Sequence, residues 1–129
     1  MRYLGIDYGD KKIGLALGDD EVKVAAPLEV VRNEGERTAL LVAQLIKRER
    51  VDAVVVGVPL SAGDAPASEQ EKKTRAFIAE LKKLTTVPVY EEDERYTSSE
   101  SLRIKHEHGS GVPEDALAAT LILQAFFDR

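Results

Sequence analysis

Cysteine is absent from the 129-residue chain. Its absence excludes disulfides, zinc-thiolate sites, cysteine-ligated iron–sulfur clusters and thiol nucleophiles, so any metal must be held by oxygen or imidazole. Long apolar runs are missing too: none approaches the roughly twenty residues a membrane span needs. Met1-Arg2-Tyr3 leads straight into a strand-like segment rather than a signal-peptide pattern. The chain therefore reads as cytosolic, with no membrane partner. Positive charge is in deficit, with 18 Lys and Arg against 23 Asp and Glu and a net charge of −5. A domain that coats nucleic acid usually carries a basic stripe, so any such contact here must be local. The available cations are Lys11-Lys12 beside Asp7, Arg95 in an acidic cluster, and Arg103, Lys105 and His106 farther on. No internal repeat or long linker divides the sequence, and residues 1–129 are expected to form one domain.

The first apolar run, Tyr3-Leu4-Gly5-Ile6-Asp7-Tyr8-Gly9, reads as a strand with one acid inside it. An unpaired carboxylate is expensive to desolvate, so Asp7 either ends the strand in a turn or is protonated, hydrogen-bonded or metal-bound. Ile13 to Gly18 alternates large and small residues and closes a hairpin through Gly9-Asp10-Lys11-Lys12. Val22 to Val31 predicts a third strand, with Pro27 at an edge or an irregularity. Leu41, Val42, Leu45 and Ile46 place an amphipathic helix within 35–50. Val51 to Leu60 is nearly continuous in β-branched residues, the pattern of a strand buried on both faces, and Pro59 ends it.

A small-residue loop over Ser61 to Ala67 precedes a capping box, Ser68 with Glu71, and a helix carrying Phe77, Ile78, Leu81 and Leu84. Val87 to Tyr90 begins a fifth strand that runs into Glu91-Glu92-Asp93-Glu94-Arg95, and Thr97 with Glu100 forms another capping box. Glycines 109 and 111 close that helix, and Pro113 opens a last one through Phe127 with Asp115 in its first turn. The order β-β-β-α-β-α-β-α-α predicts an α/β fold of ribonuclease H-like type. Three antiparallel strands are followed by right-handed βαβ crossovers in a mixed five-stranded sheet, with the fourth strand beside the first.

Alternate residues of a strand face opposite ways, so only one or two of the four acids at 91–94 can share a site with Asp7. Asp115 is stabilised by the helix dipole in any protein, yet Ala116, Ala118 and Ala119 keep that helix end slim enough to press on the sheet. His106 and His108, two apart on a helix, do not share a face and read as surface. Lys47, Arg48 and Arg50 suit the C-terminal end of the first helix.

Four blocks, in order, carry a family resemblance. They are Gly5-Ile6-Asp7-Tyr8-Gly9 with Lys12 to Ala16; Gly57-Val58-Pro59-Leu60 with Gly63; Asp93-Glu94-Arg95 with Thr97; and Asp115 to Ala119 through Ile122-Leu123-Gln124. Together they resemble the YqgF/RuvX family, which is similar in fold to RuvC-type Holliday junction resolvases. The resemblance implies a nuclease that trims the 5′ end of precursor 16S ribosomal RNA, with junction cleavage as the alternative. It also implies a metal-binding and catalytic triad of Asp7, an acid of the Asp93-Glu94-Arg95 block, and Asp115. Strand geometry leaves Asp93 and Glu94 both open; the longer Glu94 is the preferred member because it can reach back to the sheet edge. In the resolvase relatives the middle acid lies on the fourth strand, where this chain has Gly57. Asp10 is a second departure, standing where the family tends to have a small or hydroxyl residue.

Hard carboxylates suit Mg²⁺ or Mn²⁺, which support in-line phosphodiester hydrolysis. Gly9 and Gly14 leave backbone open to a sugar-phosphate, and Lys12, Arg95 and Thr97 are candidate substrate contacts. Arg95 serves equally as an ion-pair partner, and Thr97 as a helix cap. Tyr8 and Tyr96 are candidates for stacking on a base or for the core. Nucleic acid is the expected partner, structured RNA or branched DNA, and symmetric cutting of a junction would require a homodimer. Two other classes compete. Asp-x-Gly before a hairpin also resembles the phosphate loop of actin-like ATPases, which need two such domains, and a catalytically silent RNA- or ribosome-binding domain would keep RNA binding without the metal.

Overall fold

A computed structural model describes residues 1–60, 63, 65–94 and 113–129. Five strands, β1 (Arg2–Tyr8), β2 (Lys12–Asp19), β3 (Val24–Arg32), β4 (Ala53–Val58) and β5 (Val89–Asp93), form one sheet in the order β3-β2-β1-β4-β5. The first three are antiparallel, and β4 and β5 run parallel to β1, as the pattern predicts. The helices are α1 (Thr38–Arg48), α2 (Glu69–Leu84) and α3 (Glu114–Phe127). The proposed helix over Thr97 to Gly109 lies outside the described residues.

Alternation along the strands sorts the core into two layers. Leu4, Ile6, Ile13, Leu15, Val54, Val56 and Val58 face α1 and α2, where they meet Val42, Ile46, Phe77 and Leu81. Tyr3, Ala16, Ala25, Ala53 and Val55 face α3, against Ala119, Ile122, Leu123 and Phe127. Every residue of β4 is buried, which explains its unbroken β-branched composition. Each fully buried Val or Leu of this kind contributes about 1.5–3 kcal/mol.

Three local expectations are refined. The third strand begins at Val24 rather than Val22, and its pairing with β2 slips between Leu15 and Ala16, opposite Glu29 and Pro27. Proline cannot donate to a ladder, so the irregularity falls beside it on an edge strand. The first helix starts at Thr38, after a 3-10 turn over Gly35–Arg37 in which Gly35 takes φ +64. Ser68 caps α2 by accepting from the Glu71 N–H at 3.1 Å, as the capping box predicts. Tyr8 stacks on Phe77 with ring centroids 4.7 Å apart, which makes it a packing residue of the α2 side. No helix among the described residues is long and apolar enough to cross a membrane.

Candidate active site

The site begins with register. Asp7 shares the parity of Tyr3 and Gly5 and so lies on the α3 face of β1, paired across the ladder with Gly14 of β2. α3 comes down onto Gly14 so closely that a Cβ there would overlap the Asp115 carbonyl oxygen. The first turn of α3 is thereby pressed against the strand that neighbours Asp7. Slimness on the sheet side lets the helix approach, together with the buried Ala116 and Ala119.

The same parity divides the four acids of the β5 end. Glu91 and Asp93 alternate with Glu92 and Glu94, and Asp93 pairs with Val58, whose side chain belongs to the α1–α2 layer. Glu91 accepts from Arg75 Nη1 at 2.8 Å on α2. Glu92, on the α3 face, is buried with its Oε2 2.8 Å from Arg129 Nη2, an ion pair outside hydrogen-bond alignment. Glu94 follows on that face, its backbone N–H held by the Val58 carbonyl at 3.2 Å. Its side chain folds back over Gly57, where an added Cβ would stand 2.6 Å from Glu94 Oε1. There the Glu94 carboxyl is hydrogen-bonded to Asp7. Gly57 is thus the vacancy through which an acid from β5 reaches Asp7.

Electrostatics follow from this crowding. Burial, then the hydrogen bond to Asp7 and the charges of Asp7 and Asp93, push the Glu94 carboxyl up to about 8, so it carries the proton that Asp7 accepts. Asp7 is also raised, first by burial and further by the Asp115 charge, against the lowering effect of the Glu94 hydrogen bond. The arrangement is a proton-sharing carboxyl pair with a third acid acting on it through space. Among the described residues, no three acidic or histidine side chains stand close enough to enclose an ion as they are.

The hairpin beside Asp7 is held by residues that sequence reasoning did not single out. Gln70 Nε2 donates to the Tyr8 carbonyl at 2.9 Å, and Asn33 Nδ2 to the Gly9 carbonyl at 2.8 Å. The Asn33 N–H donates to the Lys11 carbonyl at 2.9 Å, and Asn33 Oδ1 accepts from the buried Thr38 hydroxyl at 2.8 Å. Lys73 pairs with Asp10 at 3.1 Å, giving that unusual acid a structural partner. The signal for these is faint, since a lone amide on a loop or helix becomes informative only once the fold brings it to the hairpin. Lys12 is exposed at the start of β2, and the Gly9 N–H closes the turn on its carbonyl at 3.0 Å. Arg95, Tyr96, Thr97, His106 and His108 lie outside the described residues.

A family model described as "RuvX: Holliday junction resolvase" matches residues 1–129. The chain belongs to the RuvX family. It is similar to a protein of Anaeromyxobacter sp. (strain Fw109-5) named "Putative pre-16S rRNA nuclease", at 40% identity over 99% of this chain and 97% of that one. A relative of the same name from Koribacter versatilis (strain Ellin345) is 37% identical over 99% of this chain and 87% of that one. Among solved structures, T. thermophilus RuvC in complex with Holliday junction substrate superposes with a TM-score of 0.68, covering 98% of this chain and 93% of that chain at 22% identity. That likeness is one of fold, and it agrees with the ribonuclease H-like sheet.

Proposed function

We propose that this chain is a divalent-metal-dependent nuclease whose substrate is the 5′ end of precursor 16S ribosomal RNA. The observation that carries the reading is the meeting of Glu94 with Asp7 through the space above Gly57, beside an α3 turn that brings Asp115 near. Two carboxyl groups drawn together in a partly buried place oppose each other unless a proton or cation joins them. No described cation is ion-paired with Asp7 or Asp115. Hard oxygen donors of this kind fit Mg²⁺ or Mn²⁺, and Asp7, Glu94 and Asp115 are the residues that would hold the ion. When bound, it supplies Lewis-acid charge to a phosphodiester.

The chain's own residues do the rest. Asp7 and Glu94 hold a proton between them when no cation is present. Gly9 keeps the hairpin turn bare for a sugar-phosphate and Lys12 holds a flanking phosphate, whereas Gly14, expected to lie open to substrate, is instead buried under the first turn of α3 and makes room for the Asp115 backbone. Arg95 and Thr97 are assigned as substrate contacts on the family pattern, and Asp93, on the opposite face, adds only the smallest contribution to the raised Glu94 value, after burial and the hydrogen bond and charge of Asp7.

The test is incubation with Mn²⁺ of an RNA bearing the 5′ extension of 16S, an unstructured RNA of equal length, and a four-way DNA junction. Parent protein should trim the extended RNA, and Asp7→Asn and Asp115→Asn should each lower the rate at least about 100-fold while remaining folded. Unchanged trimming in both variants would sink the triad. The family's own description names junction resolution, so preferential cutting of the junction would move the reading to a DNA resolvase.

A further inference from the structure

Past the start of α3 the sheet continues on the face that carries Asp7. Lys12 lies two residues before Gly14, on the same face, and its ladder partner on β3 is Arg32, likewise on that face. Both are exposed at the hairpin end of the sheet. Neither makes an ion pair among the described residues; Lys11, Lys23, Arg37, Lys47, Arg50 and Lys82 make none either, but Lys12 and Arg32 are ladder partners on the face that carries Asp7. Asp10, the acid of the hairpin, is taken by Lys73. In a chain with net charge −5, two neighbouring unpaired cations beside a cluster of acids are not explained by stability, because adjacent like charges repel. They would be relieved by an anion.

We infer that Arg32, paired in register with Lys12, is a phosphate-binding residue that extends the substrate path from the acids across β2 to the edge strand β3. A strand entering at Asp7 and Glu94 skirts the first turn of α3, which covers Gly14, and meets Lys12 and then Arg32, whose planar guanidinium offers two parallel donors to one phosphate. Adjacent strands are about 4.8 Å apart and Lys12 lies two residues, about 6.8 Å, along β2 from Gly14, the partner of Asp7, so the backbone positions of Lys12 and Arg32 stand roughly 8 and 12 Å from that of Asp7. That spread is on the scale of successive phosphates. The inference rests on the nuclease reading for the location of the scissile bond, but the contact itself is to backbone phosphate and requires no chemistry.

The experiment is equilibrium binding without divalent metal, so that nothing is cleaved, of the 5′-extended RNA and of the four-way DNA junction, across a salt series. Arg32→Ala and Lys12→Ala should each weaken binding of the preferred probe about fivefold and flatten the dependence of log K on log salt by roughly one contact. Arg32→Lys should keep most of the salt slope while losing part of the affinity. Arg50→Ala, an exposed cation beyond the far end of α1, should bind like the parent. An Arg32→Ala protein with the parent's affinity and slope on both probes, or a parent that binds neither, overturns the inference. Parent binding that depends on Arg32, together with no cleavage when Mn²⁺ is added, would instead overturn the nuclease reading and leave the phosphate contact standing.

Discussion

At Gly57 an added methyl group would meet Glu94 Oε1 and Cγ and the Cδ1 of Ile122, all of them ends or midpoints of flexible side chains. Gly57→Ala should therefore cost only about 1–2 kcal/mol in urea unfolding while displacing Glu94 and abolishing metal-dependent activity. Gly14→Ala is the harsher change, because its Cβ would strike the Asp115 backbone, which cannot rotate away. It should cost about 3 kcal/mol or more. Titration gives a second prediction. Glu94 has an ordinary value of 4.5 and is pushed up to about 8 in the fold. Between those pH values the folded chain binds more protons than the unfolded one, so this group's stabilisation is fully present below 4.5 and is lost as pH rises toward 8. In metal-free buffer the melting temperature of the parent should fall relative to Glu94→Gln by several degrees between pH 5 and 8.5. Parallel curves would contradict the buried proton. The choice between Asp93 and Glu94 was not legible in the sequence, since it depends on which face of the sheet each residue takes. The pairing of Asp93 with Val58 and the vacancy at Gly57 are the facts of register that favour Glu94 in the proposed triad.

Among the elements, the β1–β2 hairpin is tied to the start of α2 through Gln70 and Lys73 and to the β3–α1 connection through Asn33. Gln70→Ala leaves the Tyr8 carbonyl without its side-chain donor and should destabilise the protein by about 1 kcal/mol. Because Tyr8 follows Asp7, the same variant should lower the cleavage rate more than it raises KM. Ser68→Ala, which removes the α2 cap, should cost a similar ~1 kcal/mol and leave the rate unchanged. A comparison of the two variants separates support of the site from support of the helix. The capping box, the Pro27 irregularity and the buried β4 were all legible because each follows from a local rule of chain chemistry. The 3-10 turn before α1 was not, because the reading turned on Gly35 adopting a positive φ and on Thr38 being drawn inward to Asn33.

Over the whole molecule, three antiparallel strands followed by parallel crossovers dictate the order β3-β2-β1-β4-β5. That order places Asp7 on the central strand, with Gly14 and Gly57 on its two neighbours. The architecture was legible from hydrophobic period and connection handedness alone; that acids of β1, the β5 end and the last helix could meet followed from the same topology, and the family pattern singled out which of them form the proposed triad. The central claim is that Asp7 and Glu94 exchange their shared proton for a divalent ion, and calorimetric titration of Mn²⁺ at pH 7 in buffers of different ionisation enthalpy tests it most directly. Parent and Asp93→Asn proteins should bind Mn²⁺ and release close to one proton per ion, and Glu94→Gln should release none. Mn²⁺ binding with the parent's proton release in Glu94→Gln, or no Mn²⁺ binding by the parent, would contradict the account.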